Sequence, residues 1–128
     1  MFILGDRNAL KSVKLENCNA EADYCILKKG NSYKLNVNFE SKVDSNDLTT
    51  AVTANVFGVQ LAWPGLQKNA CEGHNIECPI KKGQSYNYNL DFEVMKAYPT
   101  LSTKVTFKLK NDQKSDVICF TLPVNIVD

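Results

Sequence analysis

The chain has 128 residues, of which 44% are hydrophobic and 23% charged. That is globular composition at the usual size of one domain, spanning 1–128, and it excludes disorder. The 15 basic and 14 acidic side chains leave a net charge of +1, without the surplus of Lys and Arg that a nucleic-acid partner requires.

In chain order, the first apolar run, Met1-Phe2-Ile3-Leu4, is too short for the core of a signal peptide or for a membrane span. A secreted protein would therefore be present here in processed form. Residues 12–15 read as a short first strand. Cys18 and Cys25 then enclose six mostly polar residues, and Cys71 and Cys78 repeat that spacing. Paired zinc ligands usually stand ~2–4 residues apart, so the spacing suits two disulfide-closed turns, Cys18–Cys25 and Cys71–Cys78, rather than a metal site. Disulfides imply an oxidising compartment, secreted or else a lysosomal or endosomal lumen. His74 falls inside the second loop, where an exposed polar residue needs no special role.

After the turn at Lys29-Gly30-Asn31, residues 32–40 alternate: Tyr33, Leu35, Val37 and Phe39 against Lys34, Asn36, Asn38 and Glu40. Period-2 alternation is the mark of a half-buried strand. Residues 48–61 are rich in Thr and Val and read as one long strand or two short ones, with Gly58 marking a bulge or a close approach. Residues 85–92 alternate without a fault, as do 103–110. The C-terminal run sets Ile118, Phe120, Leu122, Val124 and Ile126 on one face. Cys119 is left over as a free thiol in an apolar segment, where it reads as a small buried hydrophobe.

About seven strands and no helix of useful length predict an all-β, antiparallel β-sandwich. An antibody-type immunoglobulin domain fits poorly. Trp63 stands only eight residues before Cys71, and Asn69 occupies the place of the tyrosine that would precede the second cysteine.

Catalysis has no foothold in the sequence. His74 is the one histidine, and no nucleophile elbow, phosphate loop, dinucleotide fingerprint or zinc-protease helix is present. The expectation is a non-enzyme without cofactor or metal. The unusual features are two aromatic–proline segments, Ala62-Trp63-Pro64-Gly65 and Ala97-Tyr98-Pro99-Thr100. Proline cannot donate to a ladder, so each segment leaves its sheet there. A large aromatic at such a place either caps the sandwich core or forms a lip over an apolar pocket between sheets.

The motifs occur in a telling order. Cys18 and Cys25 precede Lys29, Gly30 and Tyr33. Cys71 and Cys78 precede Pro79, Lys82, Gly83 and Tyr86. Tyr98-Pro99, Cys119-Phe120 and Pro123 follow. Over 18–128 this resembles the lipid-recognition (ML) domain family, in its Niemann–Pick type C-two, sterol-carrier-like branch. The resemblance implies an immunoglobulin-like sandwich whose sheets splay to admit one lipid. It implies a ligand-binding wall at Trp63, Val94, Tyr98, Pro99 and Phe107, with Trp63 and Tyr98 at the mouth. Inward residues of neighbouring strands, Leu35, Val37, Val56 and Val105, join them or are plain core.

Two departures stand out. The family's third disulfide would join Cys119 to a cysteine near position 3, where Ile3 stands, and the glycosylation sequon is broken at Asn36-Val37-Asn38. The function implied is a secreted or lumenal monomer carrying one hydrophobic small molecule, a fatty acid, a sterol or an apolar semiochemical. Sterol handoff to a membrane receptor or acceptor protein, and lipid presentation in innate immunity, are the alternatives.

Overall fold

Alternating side chains make nine strands among the described residues of a computed structural model, which covers 2–3, 8–18 and 23–128. They are β1 (Phe2–Ile3), β2 (Leu10–Leu15), β3 (Cys25–Lys28), β4 (Ser32–Glu40), β5 (Thr49–Val56), β6 (Val59–Ala62), β7 (Ser85–Glu93), β8 (Leu101–Lys110) and β9 (Asp116–Val127). Met1 and Leu4 of the N-terminal apolar run, and residues 19–22 of the first cystine loop, lie outside the described residues.

Two sheets form an immunoglobulin-like β-sandwich. The smaller has the order β2-β4-β7, antiparallel throughout. The larger runs β1-β9-β8-β5-β6, and β3 also pairs with β9. That last pairing is parallel, Cys25↔Val124 to Lys28↔Val127, in a sandwich otherwise built from antiparallel neighbours. The sequence reading lacked β1 and β3 because runs of two and four residues are too short to display a period. It began the first strand two residues late.

The stretch 48–61 resolves into a hairpin. Phe57 and Gly58 both take positive φ, 51° and 87°, and Val56 pairs directly with Val59. This is the two-residue turn whose twist matches its flanking strands. Gly58 thus forms the turn itself, not a bulge or a close approach, and nothing lies within 4 Å of where its Cβ would be. The Asn55 side-chain oxygen accepts the Gly58 N–H at 2.9 Å.

The chain passes from the large sheet to the small one at Gly30, whose φ is 84°. The corner bonds to both sheets. Lys29 N–H donates to the Val127 carbonyl at 2.9 Å, and Gly30 N–H to the Val94 carbonyl at 2.6 Å. At the opposite end of the sandwich, Ser45 pairs with Ile80, and its hydroxyl accepts the Asp112 N–H at 3.0 Å.

The core falls into two halves. In one, Val37, Phe39, Tyr88 and Leu109 are fully buried, with Leu48, Ile80 and Ile118 beside them. Between the halves runs an aromatic row across both sheets. Tyr88 of β7 meets Phe107 of β8 edge-on at 5.4 Å, and Phe107 stacks on Phe120 of β9 at 5.0 Å. The other half is not filled.

Candidate functional site

A cavity of about 40 Å³ lies between the sheets on the far side of the aromatic row. The small sheet supplies Leu15, Leu35, Leu90 and Phe92. The large sheet supplies Leu27, Val52, Val105, Phe107, Phe120, Leu122 and Val124, and the segment after β6 supplies Trp63 and Leu66. Every lining residue is apolar, so the wall offers dispersion and burial and no hydrogen bond from those aliphatic side chains.

Trp63 joins the wall from the segment after β6. Its backbone N–H donates to the Val52 carbonyl at 2.9 Å, which continues the β5–β6 pairing by one residue before Pro64 stops it. Its indole meets Phe92 edge-on at 5.5 Å and Tyr98 edge-on at 5.5 Å. The indole Nε1 and the Tyr98 hydroxyl are both buried and have no hydrogen-bond partner among the described residues. The Tyr98 hydroxyl is pushed above its ordinary range, first by burial and then by the Glu93 charge.

Of the residues named from sequence, Trp63, Phe107, Leu35 and Val105 meet around the cavity, and the others lie off its wall. Val37 pairs with Tyr88, which puts it in the filled half. Val56 is half-buried beside the hairpin turn. Val94 is fully buried at the Gly30 corner, where its N–H donates to the Asn31 carbonyl at 3.0 Å. Tyr98 touches Trp63 without lining the cavity, and Pro99 is exposed.

The wall also has members that went unnamed. Leu90, Phe92, Phe120, Leu122 and Val124 sit at inward positions of alternating strands, so the signal existed. Leu27 belongs to the unrecognised β3, and Leu66 lies in a loop, where no period applies.

Both disulfides are present, Cys18–Cys25 and Cys71–Cys78. Cys119 is free and buried. It lies on the outer face of the large sheet, opposite Lys108, so its burial is not core burial. Burial raises its thiol pKa above the ordinary value, and Asp116 adds to the shift.

His74 departs from the expected exposed loop residue, because it is 5% accessible. Its Nδ1 lies 2.8 Å from the Asn89 carbonyl oxygen and its Nε2 2.9 Å from that of Gln67. The ring stacks on Tyr88 at 4.8 Å. The second cystine loop is thereby bound to the edge of β7, where the Asn89 N–H also donates to the His74 carbonyl at 3.0 Å.

Fold and cavity together define the class, a β-sandwich with a dry apolar cleft between its sheets. The model of the ML domain matches residues 5–126, and the chain belongs to the ML domain family. It is 32% identical over 117 residues to NPC intracellular cholesterol transporter 2 of Mus musculus, covering 91% of this chain and 76% of that protein. It is 28% identical over 114 residues to NPC intracellular cholesterol transporter 2 homolog a of Drosophila melanogaster, covering 89% and 77%. A Niemann-Pick type C2 protein from the Japanese carpenter ant shares the fold, with a TM-score of 0.90 at 20% identity over 99% of both chains. No helix among the described residues is long and apolar enough to cross a membrane.

Proposed function

We propose that this protein is a non-enzymatic carrier that holds one hydrophobic small molecule between its two sheets, in an extracellular or lumenal setting. The carrying observation is the cavity itself. Well-packed interiors leave few voids, yet here apolar residues from both sheets surround one, and no charged or polar side chain interrupts the wall. The two disulfides support an oxidising compartment. A fatty acid, a sterol or an apolar semiochemical suits such a wall.

A cavity of about 40 Å³ is far below the roughly 300–1,000 Å³ of ordinary ligand sites. Entry therefore requires the sheets to part and the Trp63–Tyr98 contact to open. Binding draws on burial of about 0.8 kcal/mol per methylene, offset by lost motion of the ligand. For a long alkyl chain of ~20 heavy atoms at roughly 0.3 kcal/mol each, the net is about 6 kcal/mol, or tens of micromolar. The dry wall moves the expected affinity to low micromolar or tighter.

The test is displacement of N-phenyl-1-naphthylamine by long-chain lipids, with Trp63 emission followed in parallel. Saturable displacement with a change in Trp63 emission is expected, and absence of both refutes the carrier reading. Phe107→Asp places a charge in the wall and is expected to abolish binding. Unaltered affinity in a folded Phe107→Asp protein removes Phe107 from the site.

Sterol handoff is the second reading, favoured by relatives that are named cholesterol transporters. Strict preference for cholesterol over straight-chain lipids in the same displacement would select it.

A further inference from the structure

Two polar atoms beside the cavity lack any hydrogen-bond partner among the described residues, Trp63 Nε1 and the Tyr98 hydroxyl oxygen. Both are shielded from bulk solvent. Buried donors are paired in the large majority of cases, and each exception calls for an explanation. These two exceptions are neighbours, with their rings edge-to-face at 5.5 Å and 87°. Trp63 is itself part of the cavity wall. Both residues come from the aromatic–proline corners, one after β6 and one between β7 and β8. Trp63 lines the cavity and Tyr98 packs against it, so the pair stands at the cavity's border.

An indole N–H can only donate, and a phenol can donate or accept. We infer that Trp63 Nε1–H and the Tyr98 O–H form a two-donor seat for a neutral oxygen acceptor, a ketone, ester or hydroxyl oxygen, at one end of an otherwise apolar ligand. The inference rests on the carrier reading and adds the chemistry of the ligand's polar end.

Charge disfavours a carboxylate relative to a neutral head. A phenol is protonated and able to donate at neutral pH in any case, and burial, then the Glu93 charge, move the Tyr98 hydroxyl further from ionising. The same charge repels an anionic head. No Lys or Arg lines the cavity to compensate it, and an unpaired anion in apolar surroundings is strongly disfavoured. A neutral acceptor meets two waiting donors without that penalty.

The experiment compares dodecane, 2-dodecanone, 1-dodecanol and dodecanoate as competitors of N-phenyl-1-naphthylamine. The proteins are the wild type, Trp63→Phe, Tyr98→Phe and the double variant. Chain length is matched, so wall contacts stay constant and only the head changes. On the wild type the ketone is expected to compete about tenfold better than the alkane, the order of one good hydrogen bond. In the double variant that advantage falls to about twofold or less, read as the ratio of ketone to alkane within each protein so that any change in wall contacts from the smaller ring cancels. Should the indole substitution disturb folding, Tyr98→Phe removes a single oxygen and carries the test alone. Equal competition by ketone and alkane on the wild type overturns the seat and leaves the carrier reading intact. So does a ketone preference that survives the double variant. Dodecanoate as the best competitor overturns the neutral class. Failure of all four compounds to displace a bound probe counts against the carrier reading itself, and this inference falls with it.

Discussion

Tyr88 carries a hydroxyl into the middle of an apolar interior. It is fully buried, and it shares a 2.7 Å hydrogen bond with Thr50 of the opposite sheet. Burial pushes its pKa up from 10 to about 12, with the Thr50 bond opposing the shift. The neutral phenol is the form the fold favours. Its stabilising share is whole below pH 10 and disappears as pH rises toward 12. Two units correspond to about 3 kcal/mol. Tyr88→Phe is therefore expected to flatten the loss of stability between pH 10 and 12, measured by urea unfolding at a series of pH values. An unchanged slope would show that Tyr88 ionisation does not drive alkaline unfolding. Cys119 obeys the same physics. A buried thiol with a raised pKa offers little thiolate, so iodoacetamide at pH 8 should label it only after unfolding. Rapid labelling of the folded protein would contradict the burial. Neither residue's surroundings were readable in advance. Alternation shows that Tyr88 points inward, but not that Thr50 meets it. His74 sat among polar neighbours that gave no hint of the two carbonyl oxygens beside its ring nitrogens.

Among the elements, the long alternating strands were legible because one buried face imposes a period of two. β4 follows its sequence pattern from end to end, with Tyr33, Leu35, Val37 and Phe39 all buried. The parallel strand β3 was not legible. Its four residues alternate only twice, and pairing with the far end of the chain leaves no local trace. The cystine loops were visible from spacing alone, yet their attachment differs from what spacing suggests. Closing a loop of about eight residues contributes roughly 2.5 kcal/mol through the unfolded chain. In the second loop His74 supplies a further anchor in the folded state. Replacing Cys71 and Cys78 by Ala together should lower stability by about 2.5 kcal/mol while the loop stays docked on β7. Equilibrium unfolding gives the first quantity, and hydrogen exchange at Asn89 N–H, which donates to the His74 carbonyl, reports the second. Rapid exchange at Asn89 in a folded double variant would mean that the disulfide, not the imidazole, holds the loop.

On the scale of the whole molecule, the aromatic row of Tyr88, Phe107 and Phe120 separates a filled half from a cleft half. Leu109 is fully buried in the first, whereas Leu122 lines the cavity and is half-buried. Truncation costs most where many contacts are lost and the surroundings cannot collapse. Leu109→Ala should therefore cost about 3–5 kcal/mol, and Leu122→Ala about 2 kcal/mol or less, by urea unfolding. Similar losses at both sites would refute the division. The sandwich was legible from strand period, and the family resemblance carried by motif order implied an apolar cleft between its sheets. The partition was not, because alternation marks Val37 and Leu35 as equally inward, although Val37 packs in the filled half and Leu35 faces the cavity.

The aromatic row also bears on how such a chain can change over generations. Where the filled half carries the stability and the proposed ligand occupies the other, a substitution that reshapes the cleft draws little on what keeps the protein folded. The lining can drift through many side-chain combinations, and the filled half tolerates few. One inherited frame can thus be refitted to new cargo by small steps, each leaving a foldable protein behind.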